Sequence, residues 1–128
     1  MNHEIVSTST VTTDDAIMIL STWESQAGYW ELRFRKHEYR KIDDIDWLIS
    51  VQCECTDQRG LDEPVDGKWW LINEHTVIEG IKRILAGGVA NCRPEIANML
   101  ADGAIDGCDA DQADAIVQAG LFGELVYG

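Results

Sequence analysis

The hydrophobic periodicity of the chain changes along its length, and this change limits the folds that it can adopt. Apolar and polar side chains alternate in residues 29–36 and again in residues 47–56. In the second stretch the apolar positions are Trp47, Ile49, Val51, Cys53 and Cys55. A period of two is typical of β-strands with one buried face. We therefore predict two strands that pair as an antiparallel hairpin, with residues 37–46 as a turn-rich connector.

Other segments rich in β-branched or aromatic residues predict further strands. Residues 3–11 are expected to form a strand, and residues 68–73 are expected to add a short one. Between the sheet segments, residues 57–67 have the composition of a loop. The apolar tail over residues 121–127 is expected to pack back on the sheet, with a strand as one alternative.

Apolar residues three and four positions apart predict helices in the rest of the chain. Thr12 or Thr13 is expected to cap a first helix, with Asp14 and Asp15 in its first turn, where negative charge suits the helix dipole. This helix is expected to end at Gly28, because glycine is the preferred residue just after a helix.

Three more helices are predicted in the C-terminal half. The segment 76–79 has the form of a capping box, and the helix that follows is expected to end at residues 87–88, which are both glycine. Pro94 suits the first turn of the next helix, which is expected to end at Gly103. Asp109 is expected to cap the last helix.

These elements predict an α+β fold, in which a small antiparallel sheet of three to four strands packs with about four helices. A length of 128 residues fits a single domain, taken as residues 1–128. No apolar run approaches the ~18 residues of a membrane span, and the first residues lack the pattern of a secretory signal. We therefore expect a cytoplasmic protein with no membrane contact.

The distribution of charge limits the partners. The chain has 23 acidic and 10 basic residues, a formal net charge of -13, and residues 1–28 and 94–128 contain acids but no Lys or Arg. A surface of this kind repels nucleic-acid phosphates and attracts basic proteins. We expect a protein partner with a basic surface and no direct contact with nucleic acid. The alternative is that the acidity only keeps the protein soluble.

The candidate partner-binding residues are carboxylates of the terminal helices and two adjacent tryptophans. The carboxylates are Asp102, Asp106, Asp109, Asp111 and Asp114. Trp69 and Trp70 would face opposite sides of a strand, so one of them is expected near the surface, where tryptophan is favoured at binding hot spots. The alternative is that helices or the sheet edge cover both indoles.

A single cluster of basic residues interrupts the acidic pattern. Its members are Arg33, Arg35, Lys36, His37, Arg40 and Lys41. We expect these side chains to form ion pairs with the acidic ends of the chain or to lie on a solvated strand face. Contact with phosphate is the alternative.

The sequence contains little that indicates catalysis or metal binding. The sequence lacks a G-x-S-x-G motif, a phosphate-binding glycine loop and an H-E-x-x-H motif, and residues 102–114 lack the ligand spacing of an EF-hand. Cys53, Cys55 and His75 are one alternative for a composite zinc site, but free thiols are expected. We expect no catalytic residue, metal or cofactor; an enzyme with dispersed catalytic residues stays an alternative.

Two segments are similar to small uncharacterised proteins of phages and prophages. One is the segment 114–128, which ends in Leu-Phe-Gly-Glu-Leu-Val-Tyr-Gly, and the other is Gly28-Tyr29-Trp30 after the first helix. The resemblance brings no catalytic motif. It implies a phage accessory protein that acts in the cytoplasm of a bacterial host.

Charge and resemblance together predict an inhibitor of a host nucleic-acid-handling or defence complex, of the anti-CRISPR or anti-restriction type. The carboxylates would occupy a Lys/Arg groove meant for phosphates, and Trp69 or Trp70 would supply an apolar anchor. Two alternatives stay open. One is a small-molecule-binding protein or enzyme with a tryptophan-lined pocket, and the other is a structural phage accessory protein with a homo-oligomeric interface.

Overall fold

A computed structural model describes residues 13–26, 32–55, 68–90, 92–102 and 108–126. In these residues the elements are α1 (Thr13–Gln26), β1 (Leu32–Ile42), β2 (Ile45–Cys55), β3 (Trp70–Asn73), α2 (Glu74–Leu85), α3 (Pro94–Ala101) and α4 (Ala110–Phe122). The strands form one antiparallel sheet in the order β1–β2–β3. The predicted α+β fold is confirmed. The strand predicted over 3–11, the loop over 57–67 and the helix ends at Gly28 and Gly103 lie outside the described residues.

Strands β1 and β2 form a long hairpin with a turn of two residues. Asp43 and Asp44 have φ angles of 51° and 63°. Left-handed φ at both positions is the pattern of a type I′ turn, which matches the twist of the flanking strands. Pairing continues up to Ile42 and Ile45 on either side of the turn. The predicted connector over residues 37–46 is therefore wrong, because charged side chains also suit an exposed strand.

Irregular pairing within the hairpin shifts which side chains face the core. β1 has an extra residue where Lys36 adopts a φ of 56°, and the pairing skips Ile49 on β2. An extra residue on a strand reverses the alternation beyond it. Leu48 is consequently buried, whereas Ile49 is only half-buried. The single inward face predicted over residues 47–55 is wrong at this point.

Helices α1, α2 and α4 cover the inner face of the sheet and enclose the core. The largest fully buried apolar side chains are Ile17, Ile19, Leu20, Trp23, Val51, Ile72, Val77, Ile81, Ile96 and Ile116. They come from every described element except β1 and therefore join the helices and the sheet into one core. A hydrogen bond also links α1 to β2, since the backbone N–H of Leu48 donates to Ser21 Oγ at 3.0 Å.

Helices α2 and α4 approach each other so closely that their backbones touch. A Cβ atom on Gly80 would lie 2.0 Å from the carbonyl oxygen of Ile116, and a Cβ atom on Gly120 would lie 2.1 Å from that of Thr76. Neither position has room for a side chain. These two glycines therefore determine the distance between the helices.

The helix starts follow the sequence signals closely but not everywhere. Helix α2 is capped by Asn73, whose side chain accepts from the backbone N–H of Thr76, while Thr76 Oγ1 accepts from the N–H of Asn73. The capping box predicted to begin at Thr76 therefore begins three residues earlier. Pro94 occupies the first turn of α3, and Asp109 caps α4, as predicted.

The C-terminal tail packs back on the sheet as predicted, because Phe122 meets Trp70 of β3, but it does so from a helix. Leu121 and Phe122 belong to the last turn of α4, which ends at Gly123 with a φ of 75°. Among the described residues after this helix, one isolated bridge is present, in which the N–H of Leu125 donates to the carbonyl of Ala90 at 3.1 Å. In the described part of the tail, a helical turn replaces the strand alternative.

Candidate binding surfaces

Three of the five carboxylates predicted to bind a partner lie at helix ends, one at the end of α3 and two at the start of α4. Asp102 follows the last residue of α3, Asp109 precedes the first residue of α4, and Asp111 lies in its first turn. All three residues are exposed. Asp106 lies outside the described residues. We refer to Asp102, Asp109 and Asp111 as the terminal acidic surface.

Asp109 also has a structural role in this surface. Its Oδ1 accepts from the backbone N–H of Gln112 at 2.8 Å, and Gln112 Oε1 accepts from the N–H of Asp109 at 2.9 Å. A carboxylate at a helix N-terminus is stabilised by the helix dipole. The capping interaction holds Asp109 in one place on the surface.

Asp114 is not part of the terminal acidic surface, and its expected contact with a partner is wrong. The residue is only 5% exposed. Its Oδ1 accepts from Trp23 Nε1 at 3.2 Å, and its Oδ2 accepts from Gln118 Nε2 at 2.7 Å. Every residue from 113 to 119 is buried. Asp114 and Gln118 are one helical turn apart within this run, a spacing that places both polar groups on one face.

Trp69 contacts a basic residue on the outer face of the sheet. The guanidinium carbon of Arg35 lies 4.0 Å from the centre of the Trp69 ring. Arg35 Nε donates to Gln52 Oε1 at 2.8 Å, so a second contact holds the guanidinium in this position. The Trp69 side chain is half-buried. A partner would therefore meet an arginine beside this indole rather than an open aromatic surface.

Trp70 packs on the other side of the sheet. Its ring meets Phe122 of α4 edge-on at 5.3 Å between centroids, and Lys68 Nζ lies 3.8 Å from its centroid. Its indole Nε1 is buried and has no hydrogen-bond partner among the described residues. Trp70 thus contributes mainly to packing between β3 and α4.

Two of the basic residues of β1 have partners within the hairpin. Arg33 forms an ion pair with Glu54 on β2, and Arg35 is bonded to Gln52. Lys36, Arg40 and Lys41 are exposed. In the described residues this cluster meets β2 and Trp69 rather than the acidic ends of the chain.

A groove at the tip of the hairpin was not predicted from the sequence. It lies between the start of α1 and the turn of the hairpin and has a volume of about 140 Å³. Its lining residues are Asp14, Met18, Ile42, Asp43, Ile45 and Trp47. We call it the tip groove. The available signal was the pair of aspartates between Ile42 and Ile45, which indicates a hairpin turn.

The tip groove combines apolar walls with negative charge. Asp14 and Asp43 are exposed and line it directly. Three further acids, Asp15, Asp44 and Asp46, adjoin the lining residues in the chain. The nearest basic residues along the hairpin are Arg40 and Lys41, which pair in register with Trp47 and Asp46. Because Asp14 and Asp43 lie in an otherwise apolar lining, the groove suits a ligand with a positive charge and an apolar part.

Neither Cys92 nor Cys108 has the lowered thiol pKa of a reactive cysteine. Cys53, Cys92 and Cys108 form no disulfide bond among the described residues. Burial, with a smaller effect of the Asp109 carboxylate, raises the pKa of Cys108 to about 12. Burial also raises the pKa of Cys92, although Arg93 acts in the opposite direction. A reactive cysteine needs the reverse shift, because the thiolate is the nucleophile.

Comparison of the chain with protein-family models, curated proteins and solved structures found no match. No helix in the described residues is long and apolar enough to cross a bilayer. Nor does the described part of the chain contain three or more His, Cys, Asp or Glu side chains grouped to hold a metal ion. The candidate sites are therefore the terminal acidic surface and the tip groove.

Proposed function

We propose that this protein is a phage-encoded inhibitor that binds a basic surface of a host complex and keeps nucleic acid away from it. The observation that carries the proposal is the terminal acidic surface, which lies in a segment without any Lys or Arg from residue 94 onward. A groove built to bind phosphates attracts a protein surface with concentrated negative charge. Complexes of CRISPR or restriction systems have grooves of this chemistry and are the proposed targets.

The mechanism of this inhibition would be occlusion. Asp102, Asp109 and Asp111 present carboxylates from defined helix ends, and Lys or Arg side chains of the partner would donate charge-assisted hydrogen bonds to them. Helix α4 is held in place by its close contact with α2 and by the buried Asp114. A surface on a preordered helix loses less entropy on binding than a surface on a loop.

The arrangement of the two adjacent tryptophans favours this proposal over a small-molecule-binding protein. Trp69 contacts Arg35 on the outer face of the sheet, whereas Trp70 contacts Phe122 of α4. They do not line one common pocket. The tip groove is also smaller, at about 140 Å³, than the roughly 300–1,000 Å³ of typical small-molecule sites.

The test is affinity capture from a nuclease-treated bacterial lysate with the wild type and with a terminal-surface variant in parallel. The variant carries Asp102→Asn, Asp109→Asn and Asp111→Asn. Asparagine at position 109 keeps the helix cap, because Asn and Asp cap equally well. We expect the wild type to retain a nucleic-acid-binding complex at low salt and to release it at high salt. The variant should retain much less of it.

A control variant separates the position of the charges from their number. It carries Glu38→Gln, Glu74→Gln and Glu79→Gln, which remove the same charge from the hairpin and from α2. We expect it to capture the same complex as the wild type. The proposal would be contradicted if all three proteins captured the same complex equally, or if no captured lysate protein were lost in the terminal-surface variant.

A further inference from the structure

The tip groove has walls that suit an extended aliphatic chain. Met18 of α1 and Ile42, Ile45 and Trp47 of the hairpin supply its apolar lining. Ile45 is 55% exposed and adds accessible apolar surface to this lining. Contiguous apolar surface with polar residues at its rim is a feature of ligand-binding grooves. The sheet and helix behind the groove are regular elements, so its walls are preformed.

Two carboxylates lie at the edge of these walls in defined positions. Asp43 is held by the hairpin turn, where it adopts a left-handed φ of 51°. Asp14 is held in the first turn of α1. Neither residue forms an ion pair with another described residue. Both carboxylates are therefore available to a cation that enters the groove.

This combination matches the side chain of lysine or arginine. Such side chains bury their methylene stems along apolar surface and keep their charged heads at its edge. The charged group would be attracted to the carboxylates of Asp14 and Asp43 and would donate hydrogen bonds to them. Trp47 offers an aromatic ring for a cation–π contact. A volume of about 140 Å³ suits one side chain rather than a larger ligand.

We propose that the tip groove binds one Lys or Arg side chain of the basic protein partner. The inference deepens the proposed function and rests on it for the identity of the partner. It adds a contact on α1 and the hairpin, far along the chain from the terminal acidic surface. The groove would orient the protein on its target, while the terminal acidic surface supplies most of the electrostatic attraction.

The experiment uses nuclear magnetic resonance with defined probes. N-acetyl-arginine amide and N-acetyl-lysine amide are titrated into the isotope-labelled protein at millimolar concentrations, and N-acetyl-citrulline amide is the uncharged control. We expect saturable shifts of the Trp47 indole signal and of the amides of residues 42–47 with the charged probes. The citrulline probe should bind more weakly, because it lacks the charge that Asp14 and Asp43 attract.

Variants of the carboxylates test the assignment. Asp43→Asn keeps the left-handed turn, since asparagine tolerates this conformation, and Asp14→Asn changes only one charge in α1. Each should weaken binding about threefold to fivefold, as expected for loss of an exposed ion pair. Glu38→Gln, which lies outside the groove lining, should leave it unchanged. Unchanged amide signals far from the groove would show that each variant is folded.

The outcomes distinguish this inference from the proposed function. The groove assignment would be overturned if the citrulline probe bound as tightly as the charged probes, or if the two Asp variants bound the charged probes as tightly as the wild type. It would also be overturned if the charged probes did not shift the Trp47 signal. That result could occur while capture of the host complex still depends on the terminal acidic surface. In the opposite result, the charged probes shift the Trp47 signal, but the terminal-surface variant captures the host complex as well as the wild type does. That result would overturn the proposed function and support the groove assignment.

Discussion

Asp114 shows how a single buried carboxylate connects three parts of this molecule. It accepts from Trp23 of α1 and from Gln118 of its own helix, and Gln118 Oε1 in turn accepts from the backbone N–H of Val126 at 2.7 Å. Buried polar groups are tolerated when they are hydrogen-bonded in this way. The network joins α1, α4 and the C-terminal tail.

We expect Asp114→Asn to destabilise the protein by about 1–3 kcal/mol. An asparagine side chain has only one oxygen, so it can accept from Trp23 or from Gln118 but not from each through a separate oxygen. Its amide nitrogen, which is a donor, would then face the other donor, and one buried hydrogen bond would be lost. Urea denaturation of the wild type and the variant measures the loss. Asp111→Asn makes the same chemical change at an exposed position of α4 and should cost less than about 0.5 kcal/mol. Similar losses for both variants would contradict this role for Asp114.

Cys108 predicts how stability changes at alkaline pH. Its pKa is raised by burial from an ordinary value of 9.0 to about 12, so above pH 9 the unfolded chain releases this proton while the folded protein retains it. Stability that is fully present below pH 9 is therefore lost as the pH rises toward 12. We expect Cys108→Ala to lose less stability than the wild type between pH 9 and pH 11. Parallel curves for the two proteins would show that Cys108 makes no such contribution.

At the scale of elements, the contact of α2 with α4 depends on two glycines. Gly80→Ala and Gly120→Ala would each place a Cβ atom about 2 Å from a backbone oxygen, which forces the helices apart. Helix propensity alone would favour alanine by up to about 1 kcal/mol. We nevertheless expect a net loss of about 1–3 kcal/mol for each variant, since overpacking has this cost. Thermal or urea unfolding measures it.

Gly88→Ala is the matched control for these substitutions. No atom lies within 4 Å of a Cβ built on Gly88. We expect a change within about 0.5 kcal/mol or a slight stabilisation, because alanine restricts the unfolded chain. If Gly80→Ala and Gly120→Ala behaved like Gly88→Ala, the close approach of the helices would be wrong.

The hairpin turn predicts opposite effects for two substitutions at one position. Asp44 has a φ of 63°, which glycine adopts without strain and alanine does not. Asp44→Gly should stabilise the protein by up to about 1 kcal/mol, since Asp-Gly is a preferred type I′ pair, and Asp44→Ala should destabilise it by about 1 kcal/mol. Both remove the same charge, so the difference isolates the backbone. Equal stability of the two variants would exclude the type I′ turn.

Local signals predicted most elements, and the errors have identifiable causes. Period-two alternation predicted the hairpin, and Pro94 and Asp109 predicted the starts of α3 and α4. Residues 37–46 were missed because exposed strands and loops share a charged composition. Ile49 was misplaced because a bulge depends on cross-strand pairing, which no local pattern contains.

Across the whole molecule, basic and acidic residues are concentrated in different elements. Basic residues are concentrated on β1, whereas the segment from residue 94 onward contributes acids alone. The sequence predicted the exposed carboxylates Asp102, Asp109 and Asp111, because acids are concentrated in a C-terminal segment without Lys or Arg. It did not predict the tip groove, because Asp14 and Trp47 come from α1 and β2 and meet only after the chain folds.

The proposed inhibition requires that the terminal acidic surface competes with nucleic acid for a basic surface of the partner. The most direct measurement is a titration of this protein into the captured host complex with labelled duplex DNA already bound. We expect release of the DNA as the protein is added, and much weaker release by the terminal-surface variant. If the DNA stays bound while the protein also binds, the two do not compete and the proposed inhibition is wrong.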